Sequence, residues 1–153
     1  MARKKILTST DHKGVHEEGI AAEAMKPGQA AIENATALVS GRSTFEPPDL
    51  SADGDKTGFA IVLEDRTQGG TITDSYATGE RLFLYYPALG EKINVLVQAS
   101  AGALVKGDLL ILDDDTGDFI KTTGSPGSEP FEVLEASSDS ASDRHVLCRF
   151  VGH

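Results

Sequence analysis

The run Asp113-Asp114-Asp115-Thr116-Gly117-Asp118 is the densest cluster of residues suited to chemistry, with carboxylates spaced as if for a hard cation. A calcium loop of the EF-hand type places oxygen ligands at its first, third and fifth positions, a glycine at the sixth and a glutamate at the twelfth. Here Gly117 is fifth counted from Asp113, and the twelfth residue is Gly124. The spacing therefore predicts a hairpin turn, which selects Asp and Gly for backbone reasons alone. His12 and His16 stand four apart, but Gly14 between them weakens any helix that would align the rings, and no third ligand lies near. His145 and Cys148 stand three apart, which on a strand sends them to opposite faces. No metal site is expected.

Nucleophilic chemistry fares no better. Cys148 falls on an apolar strand face, where cysteine acts as a small hydrophobe. Ser140, Asp143 and His145 are triad residue types, yet no strand–turn–helix context presents a nucleophile. Gly69-Gly70 leads into a predicted strand and not into a helix amino terminus, so it is no phosphate loop. Lys106 and Lys121 lack the flanking residues of a lipoyl- or biotinyl-carrier hairpin. No feature specifies a reaction, and the chain is not read as an enzyme; no cofactor is expected.

These residues sit in a chain of 153 with 16 glycines and 6 prolines, no tryptophan and one cysteine. That punctuation favours many short elements, and a lone cysteine excludes an internal disulfide. The net charge of -10 is uneven. Residues 1–13 hold Arg3, Lys4, Lys5 and Lys13 against Asp11, a net of +3, and the remainder carries -13. An acidic body repels nucleic acid and favours solubility, while a basic tip can pair with an acidic surface. No apolar run approaches the ~20 residues of a membrane span, and no secretory signal follows the basic start.

In chain order, residues 1–24 hold few apolar anchors (Ile6, Leu7, Val15, Ile20) and are read as an extended arm that orders against a partner. Glu17 to Met25 has room for one or two helical turns before Pro27. Residues 25–153 form one β-domain in this reading. Ala31 to Val39 predicts a strand or two, and Gly41 to Gly58 a surface loop. Phe59 to Leu63 predicts a buried strand, and Thr71 to Thr73 a short one. Arg81 to Tyr86 is a strand with Leu82, Leu84 and Tyr86 on one face and Phe83 and Tyr85 on the other. Both faces are apolar, so either a second layer or a neighbouring subunit must cover the outer one.

Lys92 to Lys121 is the central stretch: Ile93, Val95 and Val97 alternate with polar residues, Gly102 and Gly107 bracket a turn, and Leu109 to Leu112 is apolar throughout. Phe131 to Glu135 and Arg144 to Val151 complete the set, the latter alternating Val146, Cys148 and Phe150 inward. Short strands at close turn spacing predict a mostly β fold, a small barrel or sandwich of β-tulip type with an extended N-terminal arm. No internal repeat is evident.

One ordered series carries a resemblance. Phe59-Ala60-Ile61-Val62-Leu63-Glu64-Asp65, Tyr76-Ala77-Thr78-Gly79-Glu80-Arg81, Gly90-Glu91 and Gly102-Ala103-Leu104-Val105-Lys106-Gly107-Asp108 follow one another over roughly Pro27 to Thr123. In that order they resemble the cement (decoration) proteins of tailed bacteriophage capsids. The resemblance implies a structural protein on the outer surface of the virion, made in the bacterial cytoplasm. It would clamp neighbouring major capsid proteins together as a homotrimer at threefold and quasi-threefold positions. It implies no nucleic acid, membrane or small-molecule substrate among its partners. Arg3, Lys4, Lys5, Ile6 and Leu7 are then the expected capsid contact, and Phe83, Tyr85 and Tyr86 the subunit interface or ordinary core. The alternatives are a phage tail structural protein or a receptor- or sugar-binding β module.

Overall fold

The structure, a computed structural model, describes residues 5–8, 12–49, 58–113, 116–122, 129–138 and 141–152, apart from the side chains of 35–37. The described residues form ten strands: β1 (Val15–Ala21), β2 (Ala30–Val39), β3 (Arg42–Glu46), β4 (Ala60–Val62), β5 (Arg81–Tyr86), β6 (Lys92–Val97), β7 (Leu109–Leu112), β8 (Phe119–Lys121), β9 (Phe131–Val133) and β10 (Arg144–Phe150). They close into two five-stranded barrels, β1-β3-β2-β4-β5 and β10-β6-β8-β7-β9. The expected mostly β, small-barrel class is the one observed.

The two barrels repeat one topology. Taking each barrel's strands in chain order, the first pairs with the third in parallel. The third pairs with the second, the second with the fourth, the fourth with the fifth and the fifth with the first, all antiparallel. Register repeats too. Ala21 opposes Phe45 as Val97 opposes Phe119. Ala31 opposes Ala60 as Leu110 opposes Phe131. Val62 opposes Leu84 as Val133 opposes Cys148. Outside the strands, the bridge between Met25 and Tyr76 has its counterpart in Leu104 and Ser137.

The turn entering each second strand also repeats. Gly28 N–H donates to the Val62 carbonyl (2.8 Å) and Val62 N–H to the Gln29 carbonyl (2.9 Å). Gly107 N–H donates to the Val133 carbonyl (2.9 Å) and Val133 N–H to the Asp108 carbonyl (2.8 Å). No period was visible in the sequence because most matched side chains differ and the few that do not, Gly28/Gly107, Ile32/Ile111, Phe45/Phe119 and Val62/Val133, fall at unequal spacings.

Alternation along β2, β4 and β5 explains how the barrels join. Ala31, Ala60, Val62, Leu82 and Leu84 point into the first barrel with Met25, Phe45 and Tyr76. Their neighbours Ala30, Ile32, Ile61 and Tyr85, with Phe59 and Leu63, join the core of the second barrel instead. The Phe59 ring lies 5.9 Å from that of Phe119 and 6.4 Å from that of Phe131. The second layer required by the two apolar faces of β5 is thus the other barrel.

Several expectations are corrected. Val15–Ala21 is a barrel strand, not part of a free arm or a helical turn; Gly19 lets it approach Phe45, whose ring would stand 2.4 Å from a Cβ there. Residues 25–153 do not stand as the whole β unit, since the first barrel needs β1. Arg42–Glu46 is a strand within the expected loop, and residues 50–57 of that loop lie outside the described residues. Thr71 begins a turn closed by the Asp74 carboxylate (2.6 Å) where a short strand was expected.

Gly28 and Gly107 both hold positive φ, at 91° and 93°. A Cβ at Gly107 meets nothing, but one at Gly28 would stand 2.8 Å from the Leu96 nitrogen across the barrel junction. Gly107→Ala should cost about 1–3 kcal/mol from backbone strain alone. Gly28→Ala should cost clearly more, read as the difference in denaturant midpoints at equal m. Equal losses would mean that the junction yields freely.

Candidate functional site

Four turns share one design, and they include the Gly-acid pieces of the series on which the resemblance rests. In Lys26–Gln29, Ala77–Glu80, Ala88–Glu91 and Val105–Asp108 a glycine at the third position takes positive φ, as a type II turn requires. The fourth residue's N–H donates to the first residue's carbonyl at 3.1–3.2 Å. Its side-chain oxygen in turn accepts the first residue's N–H: Gln29 at 2.6 Å, Glu80 at 2.7 Å, Glu91 at 2.7 Å and Asp108 at 2.8 Å. An acid after glycine is therefore a local staple here.

Glu91 does more. Both of its oxygens accept from the Tyr85 hydroxyl at 2.7 Å, and Oε1 also accepts Lys13 N–H. The Tyr85 hydroxyl accepts Gly14 N–H at 2.7 Å, and the His12 and His16 rings flank the phenol at 5.7 and 4.8 Å. Burial raises the Glu91 pKa, but the bonds from Tyr85 and from the Lys13, Ala88 and Gly14 amides outweigh it, holding the carboxyl below its usual range. Burial, with the Glu91 hydrogen bond second, pushes the Tyr85 phenol up to about 12. The two histidines, which their sequence context argues against as a metal pair, pack on a tyrosine.

The expected capsid-contact residues divide. Arg3 and Lys4 lie outside the described residues. Lys5 is exposed, its carbonyl accepting the Asn94 side-chain amide at 2.6 Å. Ile6 and Leu7 are buried in the protein's own core. Ile6 N–H donates to Glu64 at 3.3 Å, its carbonyl accepts Asn94 N–H at 2.9 Å, and Leu7 bridges Ile93. Glu64 follows β4 of the first barrel and Asn94 belongs to β6 of the second, so this segment straps the barrels together and is not free to lie on another protein.

Of the expected subunit-interface residues, Tyr85 is fully buried core. Phe83 and Tyr86 are half-buried; the Arg81 guanidinium stacks over Phe83 at 5.2 Å while also pairing with Glu18. Burial, then the nearby Glu17 carboxylate, pushes Tyr86 up to about 12.

The other candidates are absorbed into structure. Asp113 accepts from Gln98 and Thr116, while Asp118 is buried against Gln29 with its pKa raised by that burial. The expected β7–β8 hairpin is observed, with Asp114 and Asp115 outside the described residues. Cys148 is buried, which raises its thiol pKa. Asp143 caps Ala99 N–H and pairs with Lys26, His145 Nε2 lies 2.7 Å from the Pro27 carbonyl, and Ser140 is not described. A cleft of about 310 Å³ is lined by Asp65, Asp74, Tyr76, Glu80 and Arg81 among others. Among the described residues no three His, Cys, Asp or Glu come together as a metal cage, and no helix is long and apolar enough to cross a membrane.

The fold and its surfaces define a mostly β protein of two tandem barrels. No family model matches the sequence, and no curated protein is similar to it. Among solved structures the chain is similar to the N base of the head fiber gp8.5 of bacteriophage phi29, with a TM-score of 0.53 and 11% identity over 90% of this chain and 93% of that one. At that identity the likeness is one of fold.

Two tests follow. Removing residues 1–4 should leave the thermal midpoint unchanged. Removing 1–8 deletes the buried Ile6 and Leu7, a loss of about 1.5–3 kcal/mol each, and should lower it by several degrees. Equal midpoints would show that the strap contributes nothing. Glu91 has a depressed folded pKa, so its contribution is complete above the unfolded value of about 4.3 and is lost as pH falls through the folded one. Glu91→Gln should therefore destabilise at pH 7 and approach wild type as pH falls through the depressed folded value; a pH-independent difference would refute the assignment.

Proposed function

We propose that this protein is a structural component of a tailed-phage head, bound to the outer capsid surface, where it clamps neighbouring major capsid proteins together without catalysing a reaction. The observation that carries this reading is the fold likeness to the phi29 head fiber base along nine-tenths of the chain, including both barrels. The ordered turn series that resembles capsid cement proteins points the same way, and its Gly-acid members are turn staples in this chain.

A clamp needs no active site. It needs several modest contacts held at once, so that each raises the effective concentration of the next. In this reading the protein acts as a trimer at threefold and quasi-threefold positions. Arg3, Lys4 and Lys5 supply the basic tip that meets acidic capsid surface, and Ile6 and Leu7 anchor that tip from behind. The acidic remainder of the molecule faces solvent.

Purified heads should carry the chain, and stripped heads should rebind it and gain resistance to heat or chelator. The variant lacking residues 1–4, which retains the strap, should fold normally and co-sediment with heads more weakly, increasingly so at high salt. Virions devoid of the chain, or turnover of a small compound by the purified protein, would end this reading.

A further inference from the structure

The internal repeat exposes a surface whose counterpart is already occupied inside the molecule. In the first barrel, the Lys26–Gln29 turn and the start of β2 receive the β7–β8 hairpin of the second. Ala30 N–H donates to the Gly117 carbonyl (2.7 Å), and the Gln29 side-chain amide donates to the Thr116 carbonyl (2.9 Å) and to Asp118 (2.8 Å). Carried through the shared register, the matching receiver on the second barrel is the Val105–Asp108 turn and the start of β7. The matching hairpin is β2–β3.

Both counterparts are exposed and apolar. The β2–β3 hairpin closes through Ser40 and Gly41, both at positive φ, and displays Leu38 and Val39, 70% and 47% exposed. The receiver displays Val105, 58% exposed, beside Leu109 and Ile111, which are half-buried although their counterparts Ala30 and Ile32 are fully covered. Half of the six large hydrophobic side chains exposed among the described residues therefore fall on the two elements that the repeat singles out. Leu109 to Leu112 is apolar at every position, yet within one chain only Leu110 and Leu112 are buried.

We infer that the β2–β3 hairpin of one copy docks on the Val105–Ile111 surface of the second barrel of another copy, reproducing between chains the contact that joins the barrels within one. Hairpin and receiver lie on different barrels, so the contact is heterologous: each copy gives one hairpin and accepts one, and the contact propagates beyond two chains. The inference rests on the internal repeat and not on the phage reading. A virion without the chain would end that reading and leave this contact standing.

Leu38→Asp and Val105→Asp, both at exposed positions, should keep the wild-type thermal midpoint. In sedimentation velocity over a concentration series, wild type should associate beyond two chains, and each variant should associate about tenfold or more weakly. An equimolar mixture of the two variants retains one intact hairpin and one intact receiver, and should form pairs and nothing larger. Wild type that stays a single chain, variants that assemble like wild type, or a mixture that does not pair would each overturn the inference.

Discussion

The wall formed by β2, β4 and β5 carries the structure, because its side chains serve two cores at once. A strand points successive residues to opposite faces, so a run apolar at every position is tolerated only where both faces are dry. Ala60-Ile61-Val62 and Leu82-Phe83-Leu84-Tyr85 are such runs. The inward set of Ala, Val and Leu residues fills a barrel around the rings of Phe45 and Tyr76. The outward set becomes part of the second barrel's core, where Phe59 meets Phe119 and Phe131. Neither barrel can be removed without exposing the other's apolar surface.

That dependence assigns the remaining polar contacts their purpose. The junction is stitched by main-chain bonds, Ala30 to Gly117 and Leu96 to Gly28, and by the segment at Ile6 and Leu7. Lys26 pairs with Asp143 across it, at 3.4 Å and largely in solvent, so this ion pair adds little compared with the buried area around it. The Tyr85–Glu91 pair ties residues 13 and 14 to the end of β5, leading β1 into the first barrel from a fixed position.

Much of the β architecture was legible from residue order. Alternation at Val146, Cys148 and Phe150, the stop at Pro87 and the Asp/Gly reversal before Phe119 each reflect local backbone chemistry, and each stands where expected. What escaped was non-local. Ile6 and Leu7 look like stray apolar residues in a basic tail, because the groove that receives them is made by Glu64 and Asn94, far along the chain. β1 was hidden by its first half, where Val15, His16 and Glu18 are exposed and Glu17 is half-buried, so that no alternation of apolar and polar residues marks a strand. Tyr85 looked like an interface residue because its cover, the second barrel, lies across a fold boundary that periodicity does not encode.

The repeat escaped for a different reason. Matched positions pair Met25 with Leu104, Ala31 with Leu110 and Gln29 with Asp108, substitutions that keep burial or hydrogen-bonding capacity while erasing identity. Beside scattered identities such as Phe45/Phe119 and Val62/Val133, the trace left in the sequence is the glycine followed by a side-chain acceptor, since positive φ and a staple for the turn's first amide admit few residues. Even that trace is blurred, because the same turn recurs at Ala77–Glu80 and Ala88–Glu91 for purposes unrelated to the duplication. A surface made by repeating a unit differs in kind from one made once: whatever covers it in the first unit is a physical template for what can cover it in the second. Leu109, larger than its counterpart Ala30, and Ile111, the same residue as Ile32 but less covered, set the shape to which any such cover must conform.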